Sequence, residues 1–237
     1  MSDARRPAFA DFDRRGYRTV GVREGYGEWA PTYEDTVQDA MDVALLAELN
    51  TVHWSDARDV ADLGCGTGRT AAWLRSAGVG AVDGVDLTPQ MLDRARALGM
   101  HRRLVEADVT DTQLASEAYD LVVSSLVDEH LADVAPLYAE ARRIARRGAA
   151  FVLIGYHPHF IMAAGMPTHF DGATGEPIAI ATFVHPFSEH VAAALRHAWQ
   201  LAEMRERFID DEWLRIKPKW SRFRGHPISY ALVWRKS

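Results

Sequence analysis

Short apolar runs alternate with amphipathic stretches through the middle of the chain. Val60-Ala61-Asp62-Leu63 is a nearly continuous apolar run that stops at Gly64, the pattern of a buried strand. From Arg69 through Ala71, Ala72, Trp73 and Leu74 to Gly78 the spacing becomes helical. Ala81 to Leu87 predicts the next strand. Thr88-Pro89 then opens a helix, with Thr as N-cap and Pro at the first helical position. Met91, Leu92, Ala95 and Leu98 form its inward stripe and Gly99 ends it. The alternation continues with a strand over 103–109, a short polar helix, a strand over 119–127, a helix over 134–145 that stops near Gly148, and a strand over 150–156. Strands interleaved with helices of this length predict βαβ units, a mainly parallel sheet and right-handed crossovers.

The two ends of the chain follow other patterns. Residues 1–16 read as a loosely held, charged lead-in, and Val37, Met41, Val43, Ala44, Leu45, Leu46 and Leu49 predict an amphipathic helix from Tyr33 to about Trp54. The segment 157–187 mixes Pro, Gly and aromatics without helical period. It is too long for an ordinary strand-to-helix connection and reads as a lid or substrate loop, with a strand over 178–184 inside it. A helix over 188–199 and strands over 201–209 and 228–235 close the chain. No crossover helix separates the last two strands, so the final one is expected to be antiparallel. The fold class is therefore α/β: a doubly wound, mainly parallel seven-stranded sheet with an antiparallel last strand, an N-terminal helical cap (1–54) and a lid inserted after the fifth strand (157–187), all within one domain over 1–237.

Composition narrows the function. At 237 residues the chain holds one full α/β core, and its 48% hydrophobic and 25% charged content is that of an ordinary globular domain. A net charge of −6 with no basic tail argues against a nucleic-acid partner, whose phosphates call for Lys and Arg. Cys65 is the single cysteine, which rules out an intramolecular disulfide and a zinc-finger site. The charged first residues are not a signal peptide, and no stretch approaches the roughly 20 apolar residues that span a bilayer. A cytoplasmic protein without membrane association is expected.

The chemistry gathers at the first strand end. Val60-Ala61-Asp62-Leu63-Gly64-Cys65-Gly66-Thr67-Gly68-Arg69 is a strand, a glycine turn and a helix start. The glycines let the backbone turn sharply and a ligand lie against it, and the helix N-terminus favours an anionic group nearby. About twenty residues on, Asp86 ends the second strand, where a carboxylate accepts hydrogen bonds from ribose hydroxyls. Together these features indicate an adenosine-containing cofactor. The dinucleotide fingerprint wants a glycine where Arg69 stands, which disfavours a nicotinamide-dependent oxidoreductase, and the Gly-Lys-Ser/Thr of a P-loop is absent.

The string Asp62-Leu63-Gly64-Cys65-Gly66-Thr67-Gly68 closely resembles motif I of the class I (seven-stranded, Rossmann-like) S-adenosylmethionine-dependent methyltransferases. Gly84-Val85-Asp86-Leu87-Thr88, Met91-Leu92 with Ala95-Arg96, Ala107-Asp108-Val109 and Tyr119-Asp120-Leu121-Val122 follow in the family's order. The similarity is greatest to the small-molecule branch of quinone- and biotin-pathway enzymes, whose N-terminal Tyr-x-x-Trp-Ala-x-x-Tyr segment Tyr26 to Tyr33 resembles. The resemblance implies S-adenosylmethionine as cofactor. It places Asp62, Gly64, Gly66 and Gly68, with Cys65 in the same turn, at the methionyl end, Asp86 on the ribose and Leu87 beside the adenine, and counts Met91 among the cofactor-binding residues. It puts Asp108 on the adenine amino group with Val109 next to it, Ser124 and Ser125 near the sulfonium, and Tyr26 and Tyr33 over the methionine moiety. Cys65 also reads simply as a small buried residue, and Tyr33 as a helix-start aromatic.

Methyl transfer from a sulfonium to O, N or C is an in-line displacement, so the protein aligns the nucleophile, excludes water and, where needed, removes a proton. The acceptor, expected to be a small molecule, belongs outside the carboxyl ends of the strands. Histidines gather in those loops, and a histidine base titrates near neutrality. His157 and His130 rank first because they follow strand ends, then His185; the competing reading makes all three packing residues. No metal site is expected. The absence of Asn/Asp-Pro-Pro-Tyr after the fourth strand argues against the family's DNA and glutamine methylating enzymes. The reading of a different class is a non-catalytic S-adenosylmethionine-binding regulator or partner subunit, and the oligomeric state is open between monomer and homodimer.

Overall fold

The computed structural model describes residues 8–37 and 41–237. The strands are β1 (Arg18–Val20), β2 (Asp59–Leu63), β3 (Ala81–Asp86), β4 (Arg103–Glu106), β5 (Tyr119–Ser125), β6 (Ala145–Tyr156), β7 (His169–Asp171), β8 (Pro177–Ile180), β9 (Trp199–Phe208) and β10 (Pro227–Lys236). The α-helices are α1 (Val22–Trp29), α2 (Tyr33–Thr36), α3 (Met41–Glu48), α4 (Arg69–Ser76), α5 (Pro89–Leu98), α6 (Ala135–Ile144), α7 (Pro158–Ala164), α8 (Phe187–Arg196) and α9 (Asp211–Ile216). Seven strands form one sheet in the order β4-β3-β2-β5-β6-β10-β9. The first five pair in parallel, and β10 is antiparallel to both β6 and β9, as the missing crossover helix predicted.

Strand parity sorts the core into two layers. Ala61, Val122, Phe151, Leu153, Leu232 and Trp234 face one side, where Leu137, Tyr138 and Ala141 of α6 and Ala193 and Ala194 of α8 cover them. Val60, Leu121, Val123, Val152, Ile154 and Val233 face the other, under Leu45 and Leu46 of α3 and Ala71 and Leu74 of α4. Both faces are dry over the central strands β2, β3, β5, β6 and β10, which is why these read as continuous apolar runs rather than alternating ones. Of the edge strands, β4 is partly and β9 largely exposed.

The cap departs from the sequence expectation in an informative way. β1, from the N-terminal segment, pairs in parallel with β8 of the insertion, and β8 pairs antiparallel with β7. The N-terminal cap segment and the lid thus make one three-stranded sheet. The lead-in is docked from Ala8 onward: Phe9 is buried against Ile161 and Val184, and Arg14 N donates to Gly165 O at 2.9 Å. The insertion also contains a helix, α7, where the sequence showed no period. Seven residues are too few to display one, and α7 is defined by its ends: Pro158 at its first position, a His157 cap, and Gly165 in a left-handed stop with φ +56°.

Three further differences have local causes. The helix expected over 33–54 is divided into α2 and α3, with its residues 38–40 outside the described ones. No helix forms after β4. There Gln113 and Glu117 adopt positive φ, and the buried Thr112 donates both N–H and hydroxyl to Glu140 of α6, so side-chain partners replace helical ones. The strand expected over 178–184 ends at Ile180, because Phe183 N turns away to donate to Glu129 O at 2.7 Å.

The start of the sheet is tight. Gly80 N donates to Ala57 O and Ala81 N to Arg58 O, and a Cβ built on Gly80 falls 2.2 Å from Arg58 O. Backbone cannot swing aside as a side chain does. Gly80→Ala is therefore expected to cost about 1–3 kcal/mol of stability, read as a lower urea midpoint with unchanged slope.

Candidate active site

The carboxyl ends of β2 and β3 are joined through backbone. Gly64 N and Cys65 N both donate to Val85 O, at 2.8 and 2.9 Å, and Gly66 N donates to Asp86 Oδ2 at 2.8 Å. This doubling demands a sharp reversal, with Gly64 at φ +74° and Gly66 at φ +52°. Gly64 has a second reason to lack a side chain: a Cβ would sit 2.3 Å from Val127 Cγ2 of the loop after β5.

A cavity opens on this turn. Gly64, Cys65, Gly66, Asp86 and Leu87 line it from the strand ends. Met91, Asp108 and Val109 close one side, and Tyr26 and Tyr33 descend from the cap. All of these residues were expected around the cofactor, and the fold brings them to one cavity. Asp62, Gly68 and Ser124 lie behind its wall. Asp62 shares strand parity with Val60, so it faces the α3–α4 layer; it is 1% exposed, both its oxygens lack hydrogen-bond partners, and His101 Nε2 is 3.5 Å away. Burial pushes its carboxyl above the usual range. Gly68 caps α4 at φ +95°. Ser124 Oγ donates to Leu63 O at 3.0 Å, tying β5 to β2, while its neighbour Ser125 reaches the cavity.

Asp86 and Asp108 on the wall keep acceptor capacity. Asp86 Oδ1 accepts from Thr88 N and Oδ2 from Gly66 N, both at 2.8 Å, which leaves each oxygen a second lone pair. Burial raises the Asp86 carboxyl, and the two amides draw it back down. Asp108 uses Oδ1 alone, for Thr110 N at 2.8 Å and Thr110 Oγ1 at 2.6 Å. The sequence reading missed a further pair: Arg69 Nη2 donates to Asp42 Oδ2 at 2.8 Å, and both residues line the cavity. Asp42 is 2% exposed with Oδ1 unpartnered. The available signal was an acid beside Met41 and one turn from Leu45 and Leu46 in an otherwise apolar helix.

Of the three candidate bases, His130 alone lines the cavity. Its Nδ1 faces Ala181 O at 2.8 Å and so carries the hydrogen, leaving Nε2 to accept from Tyr26 OH at 2.9 Å. Burial lowers the imidazole to about 4, so it is neutral at physiological pH. The first-ranked candidate, His157, is occupied elsewhere. Its Nδ1 accepts from His159 N at 3.1 Å as the cap of α7, and its Nε2 donates to Glu206 Oε1 at 2.8 Å. Pro158, which holds His157 extended, makes it a helix cap rather than a free ring. His185 has both nitrogens engaged, with Glu189 Oε2 at 2.9 Å and Leu131 O at 2.7 Å. Neither of these two rings borders the cavity.

A second cavity lies beside the first. Trp29, Tyr156, Phe160, Phe170, Trp213 and Trp220 supply its aromatic walls, and Lys217 and Lys219 border it. Leu126, on the wall of the first cavity, packs in the same cluster as Tyr156, Phe160 and Trp213, so the two spaces share a partition. Leu126 sits at φ +58°, a strained value for a branched residue.

Beneath His130 lie two consecutive buried acids. Asp128 is 3% and Glu129 2% exposed. Tyr230 OH donates to Asp128 Oδ2 at 2.7 Å, whereas Glu129 Oε2 has no partner and Oε1 is 3.8 Å from His130 Nε2. Burial raises both carboxyls well above the usual range.

A glycine turn thus ties two parallel strand ends beside a buried carboxylate at the carboxyl-terminal edge of a doubly wound sheet. Comparison with known proteins makes this specific. Residues 61–153 match the family described as a methyltransferase domain. Malonyl-acyl-carrier-protein O-methyltransferase of Enterobacter lignolyticus is 28% identical over 194 residues, 73% of this chain and 75% of that protein. Methyltransferase-like protein 27 of Homo sapiens is 38% identical over 87 residues, about a third of each chain. The crystal structure of an S-adenosylmethionine-dependent methyltransferase from Mesorhizobium loti superposes with a TM-score of 0.61 at 26% identity, covering 81% of this chain and 96% of that one. The strand order is that of the class I S-adenosylmethionine-dependent methyltransferases, and residues 61–153 match their methyltransferase domain. Among the described residues no helix is long and apolar enough to cross a membrane.

The buried acids give the fold a pH signature. A carboxyl whose folded value is raised adds stability that is whole below its unfolded value, near 4, and is lost as pH rises through the folded value. Glu129→Gln keeps the shape and removes one such group. Urea unfolding is expected to show the variant gaining on the wild type by about 1.4 kcal/mol per pH unit through the window where Glu129 ionises in the unfolded chain only. Parallel curves would place Glu129 outside the pH response.

Proposed function

We propose that the first cavity holds S-adenosylmethionine and that the chain methylates a small-molecule acceptor, with His130 as the group that receives a proton when the acceptor gives one up. The observation that carries this reading is the convergence on one cavity of the glycine turn, Asp86, Asp108 and the Tyr26–His130 pair. Bound S-adenosylmethionine supplies a methyl group already activated on a sulfonium. The spare lone pairs of Asp86 receive the ribose hydroxyls, and Asp108 Oδ2 receives the adenine amino group between Leu87, Met91 and Val109. Arg69, Asp42 and the amides of the glycine turn meet the charged methionyl end.

Tyr26 closes the cavity from above and excludes water, which strengthens every polar interaction inside. Its hydroxyl holds the Nε2 lone pair of His130, so an acceptor hydroxyl that replaces Tyr26 meets a neutral imidazole already fixed by Ala181 O. One relative being named as an O-methyltransferase favours oxygen as the accepting atom.

Calorimetry and a turnover assay with labelled cofactor test the two halves. Asp86→Ala is expected to weaken S-adenosylmethionine by at least about tenfold, because hydrogen bonds to a charged group contribute about 1.5–3 kcal/mol each. His130→Ala is expected to lower turnover by about 10² to 10⁴ with cofactor affinity near wild type. Wild-type turnover should stay level from neutral pH down to about 5 and fall as pH approaches 4, because the lowered His130 gains its proton only there. Full activity in His130→Ala would leave alignment as the whole of catalysis.

A further inference from the structure

The second cavity has a chemical character of its own. Its walls are aromatic faces: Trp29 lies parallel to Phe170 at 5.7 Å, and Phe160 leans on Trp220 at 5.1 Å. Trp213 is 7% exposed, and its indole Nε1 is buried with no acceptor. A buried unpartnered N–H costs about 1–3 kcal/mol, which a bound acceptor oxygen would recover. Around these aromatic walls the lining is polar, with Lys217 and Lys219 against the single carboxylate of Asp171. Lys219 is exposed and forms no ion pair among the described residues. The balance of charge at this aromatic-walled, partly polar cavity is positive.

We infer that this second cavity is the acceptor site and selects a flat, largely apolar molecule that carries an anionic group, with the ring between Trp29, Phe160 and Trp213 and the anion toward Lys219. The inference rests on the proposed placement of the cofactor in the adjoining cavity. The shared partition gives it its direction: Leu126 lines the first cavity and packs in one cluster with Tyr156 and Phe160 of the second, so an acceptor seated on the aromatic walls displaces this side chain and enters the first cavity by its near edge at the end of β5. The anion then stays at the far, lysine-bearing end, away from the reacting atom. Packing one face against tryptophans while an ammonium meets the charge uses the amphipathic reach of a lysine stem.

The test uses the full chain, saturated with S-adenosylhomocysteine, and three probes of one shape: 2-naphthoate, neutral 2-naphthamide and cationic 2-naphthylmethylammonium. Binding is read by quenching of tryptophan fluorescence, since Trp29, Trp213 and Trp220 all border the cavity. Naphthoate is expected to bind about tenfold more tightly than the amide, the margin of a charge-assisted hydrogen bond, and the cation weakest. Lys219→Ala, at an exposed position that leaves the core intact, should erase the preference of acid over amide, and Lys219→Glu should reverse it. Trp213→Phe should weaken all three probes while leaving S-adenosylhomocysteine affinity unchanged. Equal affinities for the three probes would overturn the inference, as would naphthoate binding that survives Lys219→Glu or absence of saturable quenching. Calorimetric titration of S-adenosylhomocysteine on the same samples separates the two readings: failure of that titration removes the cofactor placement, whereas a normal titration with no acid preference removes only the acceptor assignment.

Discussion

A single carbonyl, that of Val85, accepts from two successive amides, and the architecture of the site follows from that sharing. To bring Gly64 N and Cys65 N to one oxygen, the chain must leave β2, reverse at once and enter α4 within five residues. The reversal leaves no room for a side chain at Gly64, which would strike Val127. It also brings Gly66 N to Asp86, so the carboxylate that ends β3 is held by the very turn it adjoins. The ends of β2, β3 and the loop after β5 thereby become one rigid floor. Rigidity there matters because alignment is the main contribution a protein makes to an in-line displacement on an already activated methyl group.

The roof is built differently, from segments far apart in sequence. β1 and β8 pair across about 160 residues, and over the cavity the roof they form meets the floor through Tyr26 and His130, while Arg94 on Pro31 O and Phe183 N on Glu129 O join them at its edges. A tyrosine hydroxyl against a neutral imidazole is a modest bond, about 0.5–1.5 kcal/mol net. That strength suits a part that has to release: ligand exchange needs the roof to lift, and a charged pair in the same place would resist it. The neutrality of His130 has a physical cause. It is buried, and its neighbour Glu129 is itself held toward the protonated form by burial, so no strong anion draws a proton onto the ring.

Much of this was legible in the sequence, for reasons that also mark the limit. The strand order and the glycine turn depend on local apolar runs and on backbone requirements that only certain residues satisfy, so β2, β3, α5 and the positions of Gly64, Gly66 and Asp86 could be read directly. Side-chain partners across the fold leave no local trace. Nothing near His157 announces that its ring caps α7 and donates to Glu206, nor does anything near Arg69 announce Asp42. The three histidines looked alike because all follow strand ends or lie in the insertion; burial and tautomer, which separate them, are properties of the assembled roof. The helix expected after β4 failed likewise, through Glu140 and Arg143 arriving from α6 to take the loop's polar groups.

The end of β5 has to serve two spaces at once, and its backbone shows how. Ser124 is committed to Leu63 O, inside the sheet, and Ser125 turns to the first cavity. An extended chain would send Leu126 back into the core layer that Ser124 occupies. Instead Leu126 adopts φ +58°, which costs on the order of 1–3 kcal/mol in a branched residue. Its amide still reaches Ile154 O at 2.8 Å, so the strand pairing is kept while the side chain swings into the aromatic cluster of the second cavity. A glycine at this point would relieve the strain but remove the partition. The leucine therefore stands between the two cavities, and an acceptor seated in the second reaches the cofactor space only when this one side chain moves aside.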